Sequence, residues 1–149
     1  MKEVEEGSFK QWVFKTILVS LFFVVLILIA ERVLNISLLR DILIITLLVM
    51  TIGFTHEALH YYQAVKLGYE PRWYRTRFTM GFEITHHTKR ETWNKHKRLI
   101  ALLPYKILIP VMIALVIVGF VFNIQSVLLA GIVTLIAHGI SIFKEGVDV

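Results

Sequence analysis

Residues Gly53–Tyr62 read GFTHEALHYY. They close a mostly apolar run that begins near Leu43, so two histidines and a glutamate stand at the end of a segment otherwise suited to lipid. HEALH, His56 to His60, has the spacing H-E-x-x-H, which on a helix sets two imidazoles one turn apart on one face. Whether the run before it crosses a membrane decides the fold.

Composition answers that first. The chain has 149 residues, enough for one domain, and 56% of them are hydrophobic. Soluble domains hold roughly 45–50%, and the mean hydropathy here is +0.69. Four segments have the length of a span, ~20 apolar residues. They are residues 12–30, 39–65, 99–122 and 124–143. The first is too long for a usual signal-peptide core of about 7–15 residues, and the region before it carries Glu3, Glu5 and Glu6. It reads as an uncleaved span, with Lys15 snorkelling to the interface. Only Asn123 and its neighbours separate the third and fourth segments, which predicts a tight helical hairpin. The expected fold is an all-α integral membrane protein, residues 1–149 forming a single membrane domain.

The net charge of +5 is uneven. Residues 66–98 hold nine Lys and Arg against three acids. Cytoplasmic loops of membrane proteins carry such an excess. Placing 66–98 in the cytoplasm puts both termini there, and leaves only Arg32 and Arg40 on the far side. Anionic lipid headgroups are the expected partners of this basic loop. No nucleic-acid motif accompanies it, so nucleic acid is not an expected partner. Within the loop, Tyr74 to Thr85 alternates apolar with polar or small residues, the period of a half-buried strand, and Gly81 offers a bend or hairpin. A short cytoplasmic β-strand or hairpin is therefore expected between the second and third helices.

The chemistry follows from the side chains available. The chain has no cysteine, which excludes disulfides, thiolate metal sites and a cysteine nucleophile. A metal must be held by His, Asp or Glu. His56 and His60 can share one Zn²⁺, and Glu57 between them can act as general base on a zinc-activated water, then as acid toward the leaving amine. Ionisable groups inside a span are costly and are usually functional.

A catalytic zinc also needs a third protein ligand and an open position for water. His138, in LIAHGIS of the fourth span, is the leading candidate. His60 lies five residues inside Val65, and His138 five inside Phe143. At 1.5 Å per residue both sit roughly 7–8 Å from the expected helix end, on the same side of the membrane. Glu145 and Asp148 are weaker alternatives, and His86, His87 and His96 are expected to be exposed in the basic loop. Lys106 lies between Pro104 and Pro110 in the third span; snorkelling is its first reading and oxyanion stabilisation its second. The two prolines release helical carbonyls, which are tolerated at depth where they line a wet cavity or are buried in protein. The strand offers an edge to which an extended peptide can pair.

HEALH at the end of a span, a strand-bearing cytoplasmic segment, HKRLIALLP opening a proline-containing span, and a last span with a candidate ligand together resemble the site-2-protease-like membrane zinc peptidases. The closest likeness is to small zincin-like membrane peptidases of unknown function. The resemblance covers about Leu43 to Phe143. It implies His56 and His60 as zinc ligands, and Glu57 as the catalytic acid/base. Site-2 proteases take their third ligand from an aspartate in an N-P-D-G-like motif. This chain lacks the motif, its only aspartates are Asp41 and Asp148, and His138 stands roughly in the expected place.

The expected function is a membrane-embedded zinc metallopeptidase with one Zn²⁺ per chain, acting near the cytoplasmic face on a membrane-associated protein or peptide. The alternative is a non-catalytic zinc-binding membrane protein, or an inactive peptidase relative serving as sensor or substrate-binding module. A third reading, haem ligation by His60 and His138, would show as a Soret band.

Overall fold

The computed structural model describes residues 9–75, 80–84 and 89–147. They form, in order, α1 (Phe9–Arg32), α2 (Ser37–Lys66), β1 (Pro71–Arg75), β2 (Met80–Ile84), α3 (Arg90–Val121) and α4 (Gln125–Val147). All four helices are long and apolar enough to cross a membrane. Their outward faces carry Phe14, Leu21, Phe22, Ile117 and Phe120, each more than half exposed, a surface matched to lipid.

The first three helices begin earlier than hydropathy suggests, and α1, α2 and α4 end later. The third shows this best. Arg90–Arg98, expected in the loop, are the first turns of α3. Charged residues give no hydropathic signal, yet Arg, Glu and Lys are good helix formers.

The helix ends are set by backbone chemistry. After α2, Gly68 takes φ +85°, and the amides of Gly68 and Tyr69 bond to the carbonyls of Val65 and Ala64. After α3, Asn123 takes φ +55° in the same role, with Asn123 and Ile124 bonding to Phe120 and Gly119. Both are left-handed C-caps that satisfy the last carbonyls. The second compresses the α3–α4 connection to three residues, 122–124.

Three helices share one core. On α2 the inward positions are Ile52, His56, His60 and Ala64; on α3, Ile100, Pro104, Leu108 and Met112; on α4, Ser126, Ala130, Thr134 and His138. Each series steps by four residues along one face. Ile52, Leu108 and Met112 form the apolar centre, flanked by Leu59, Ile109, Leu115 and Leu135. α1 packs on α2 at the periphery, through Phe9 stacked on Tyr61 at 4.4 Å and Trp12 edge-on to Phe54 at 5.9 Å.

β1 and β2 pair antiparallel, with Pro71 opposite Ile84 and Arg75 opposite Met80. Gly81, expected at a bend, lies inside β2 opposite Tyr74. Residues 76–79, between the two strands, lie outside those described. Ile84 joins Ala64, Leu67, Tyr69, Trp93 and Ile100 in a second apolar cluster, which fastens the strands to the C-terminal end of α2 and the start of α3.

α3 and α4 touch backbone to backbone. A Cβ on Gly119 would lie 2.4 Å from the Leu128 amide nitrogen, and one on Gly131 would lie 2.8 Å from Val116 Cγ2. A Cβ on Gly53 would meet nothing within 4 Å. Gly119→Ala should therefore destabilise the bundle by the ~1–3 kcal/mol typical of overpacking, seen as a lower melting temperature in detergent. Gly53→Ala should leave it unchanged or raise it, because alanine is the better helix former.

Candidate metal centre

His56 and His60 extend from α2 toward α3 and α4, and His138 extends from α4 to meet them. His56 Nδ1 lies 3.1 Å from His138 Nε2, and His56 Nε2 lies 2.9 Å from His60 Nε2. Residues 82 positions apart in the chain are thus brought together by the packing of α4 on α2. His60 and His138 are each only 9% exposed. Tyr105, on α3, closes the group from the third side. It is 4% exposed, and its ring centroid lies 5.1 Å from that of His56 and 6.0 Å from that of His138.

The outer nitrogens are anchored to backbone. His60 Nδ1 lies 2.8 Å from the carbonyl oxygen of Ile100, and His138 Nδ1 lies 2.9 Å from that of Thr134. A carbonyl only accepts, so in both rings Nδ1 carries the hydrogen and donates it. In the neutral ring Nε2 then carries the lone pair, and in both it points at His56. Thr134 is held in turn, its hydroxyl donating to the carbonyl of Ala130 at 2.7 Å.

Counting hydrogens defines what the cluster wants. A neutral His56 has one N–H, yet its two nitrogens face two Nε2 lone pairs. Three neutral imidazoles therefore supply one hydrogen for two contacts. One cation removes the shortfall. An added proton makes His56 a donor to both Nε2 lone pairs, and a metal ion would instead accept lone pairs from the rings. An outer N–H bonded to a carbonyl is also the usual support of a metal-bound histidine.

Distances bear on the fit. Zinc–nitrogen bonds of about 2.0–2.1 Å in a tetrahedron set ligand nitrogens about 3.3 Å apart. The two contacts here are slightly shorter, and they use opposite nitrogens of His56, whose ring stands between its partners. As placed, no group of three or more His, Cys, Asp or Glu among the described residues has metal-ligand geometry. The donor set nevertheless suits zinc, since three imidazoles are a known complement for a catalytic ion with an open fourth position.

The remaining sequence candidates fall elsewhere. Glu57 is half-buried, about 100° round α2 from His56. It lines a cavity of about 300 Å³ with Trp12, Met50, Gly53 and Phe54, on the side facing α1. Lys106 is exposed on the outer face of α3, consistent with snorkelling and away from the histidines. His96, expected to be exposed, is half-buried, and its Nδ1 lies 2.8 Å from the hydroxyl of Tyr69. His86, His87 and Asp148 lie outside the described residues, and Glu145 belongs to the last turns of α4. Sequence reasoning missed Tyr105, Thr134 and the Ile100 carbonyl. Only the last had a signal, a proline four residues downstream.

No protein-family model, no curated protein and no solved structure matches the chain.

The tautomers can be tested directly. In metal-free protein labelled with ¹⁵N-histidine, His60 and His138 should both show the Nδ1–H form, each signal assigned by its loss in a His→Ala variant. Finding Nε2–H on either ring would remove the anchoring by Ile100 or Thr134.

Proposed function

We propose that this chain is a membrane-embedded zinc metallopeptidase whose ion is held by His56, His60 and His138. One observation carries the proposal: three histidines from two helices converge in an apolar interior, two of them with Nδ1 satisfied by backbone so that Nε2 turns inward. A packing role does not require three imidazoles to share a centre short of one hydrogen. Burying such a group in a span is costly without a ligand to repay it.

A zinc ion bound there supplies Lewis-acid activation of water at neutral pH. The chain's own residues do the rest. His60 and His138 keep their orientation through Ile100 and Thr134. Glu57, between His56 and His60 in sequence and lining the α1-facing cavity, would take up a proton from water on its carboxylate and return it to the leaving amine once its side chain turns toward the histidines. Trp12, Met50 and Phe54 give the cavity beside that carboxylate a largely apolar wall. The β1–β2 pair, fastened beside Ile100, offers an edge for an extended peptide. By the bias of Lys and Arg, this end of the bundle faces the cytoplasm, with both termini on that side. The expected substrate is a protein or peptide associated with the membrane.

The second reading, a zinc-binding membrane protein without turnover, draws on the direction of Glu57, which faces α1 while the histidines face α3 and α4. One substitution separates the two. Glu57→Gln should retain zinc and lose proteolysis of a membrane-associated reporter by at least ~10²-fold, the scale of general acid–base catalysis. Undiminished cleavage would exclude Glu57 as the base. Zinc binding without cleavage in the wild type, across a peptide library presented in bilayers, would favour the non-catalytic reading.

A further inference from the structure

The carbonyl that anchors His60 is made available by a proline. In an α-helix the carbonyl of residue i accepts the amide of residue i+4. Residue i+4 from Ile100 is Pro104, which has no N–H, and its ring pushes the carbonyl four residues earlier off the helix axis. The displaced carbonyl points into the bundle and receives the His60 Nδ1–H at 2.8 Å. Both partners are buried, Ile100 at 6% exposure and Pro104 below 2%. Pro110, six residues on, is exposed, and the carbonyl it releases belongs to Lys106 on the outer face of α3.

We infer that Pro104 is a positioning residue for the metal centre: by withholding an amide from Ile100 it reserves that carbonyl for His60, and so fixes the ring with Nε2 toward the ion. The inference rests on the zinc reading above. It extends that reading to a residue that touches neither metal nor substrate. With alanine at position 104 the helical amide returns, the carbonyl swings back toward the axis, and His60 loses its geometric partner. A carbonyl can accept two hydrogen bonds, so the effect is a weakening, not an abolition. Losing the outer partner of a metal-bound histidine typically costs about 10–100-fold in affinity.

The test compares Zn²⁺ affinity, by competition with a chromophoric chelator, and the d–d spectrum of the Co²⁺-substituted protein. Wild type, Pro104→Ala and Pro110→Ala are measured in the same detergent. Pro104→Ala should bind Zn²⁺ about 10–100-fold more weakly and show an altered Co²⁺ spectrum. Both variants should remain folded, each with a cooperative metal-free thermal transition. Pro110→Ala should match the wild type in affinity and spectrum. Should Pro104→Ala fail to fold, Pro104→Val restores the same amide while filling more of the buried space, and the same loss is expected of it. Wild-type affinity and spectrum in a folded position-104 variant would overturn the inference while leaving the metal centre intact. Equal weakening by Pro110→Ala would also overturn it, showing a general effect of straightening α3. A wild type that binds neither Zn²⁺ nor Co²⁺ would overturn the metal centre and the inference with it.

Discussion

Two backbone carbonyls, those of Ile100 and Thr134, hold the centre of this bundle in order. Each takes the outer N–H of one imidazole and so sets which nitrogen of that ring faces inward. In water such bonds would compete with solvent for little net gain. In an apolar interior an unmet N–H is expensive, so the bond decides the rotamer and the tautomer together. The cluster's hydrogen balance follows from this constraint. Two lone pairs are aimed at one ring that has a single hydrogen to offer, a shortfall that one cation, a proton on His56 or a metal ion, would relieve.

Packing supplies the frame for those bonds. α4 is lined on its inner face by Ser126, Ala130, Gly131 and Thr134, residues small enough for α3 to approach closely. The close approach at Gly119 and Gly131 fixes α4 against α3. The apolar centre of Ile52, Leu108 and Met112 fixes α2 against α3. His138 therefore meets His56 because α2 and α4 pack on α3 and on each other. α1 stands outside this arrangement. Its contribution is the wall of the cavity beside Glu57, through Trp12.

Much of this was legible in the residues. Four apolar segments gave four helices, and HEALH with His138 gave three histidines that the structure brings into contact. What was not legible has definite physical causes. A backbone carbonyl has no letter of its own, so Ile100 as a histidine partner is visible only through Pro104, and only after α3 is set against α2. Tyr105 reads as an ordinary aromatic in an apolar run until its neighbours are known. The start of α3 was hidden because Arg90–Arg98 are polar, and hydropathy reports apolar length instead of helix length. His96 looked exposed among lysines, yet the turn after α2 brings Tyr69 back to it. Gly81 offers a bend by its residue type, yet it lies within the pairing, opposite Tyr74.

The central claim is that His56, His60 and His138 form one metal-binding centre. The most direct test is elemental analysis of the detergent-purified protein after Zn²⁺ is supplied and excess removed, with wild type beside His138→Ala. About one zinc per chain in the wild type, lost or sharply reduced in the variant, is the predicted result. Equal zinc in both proteins would contradict the role of His138, and no zinc in the wild type would contradict the centre itself.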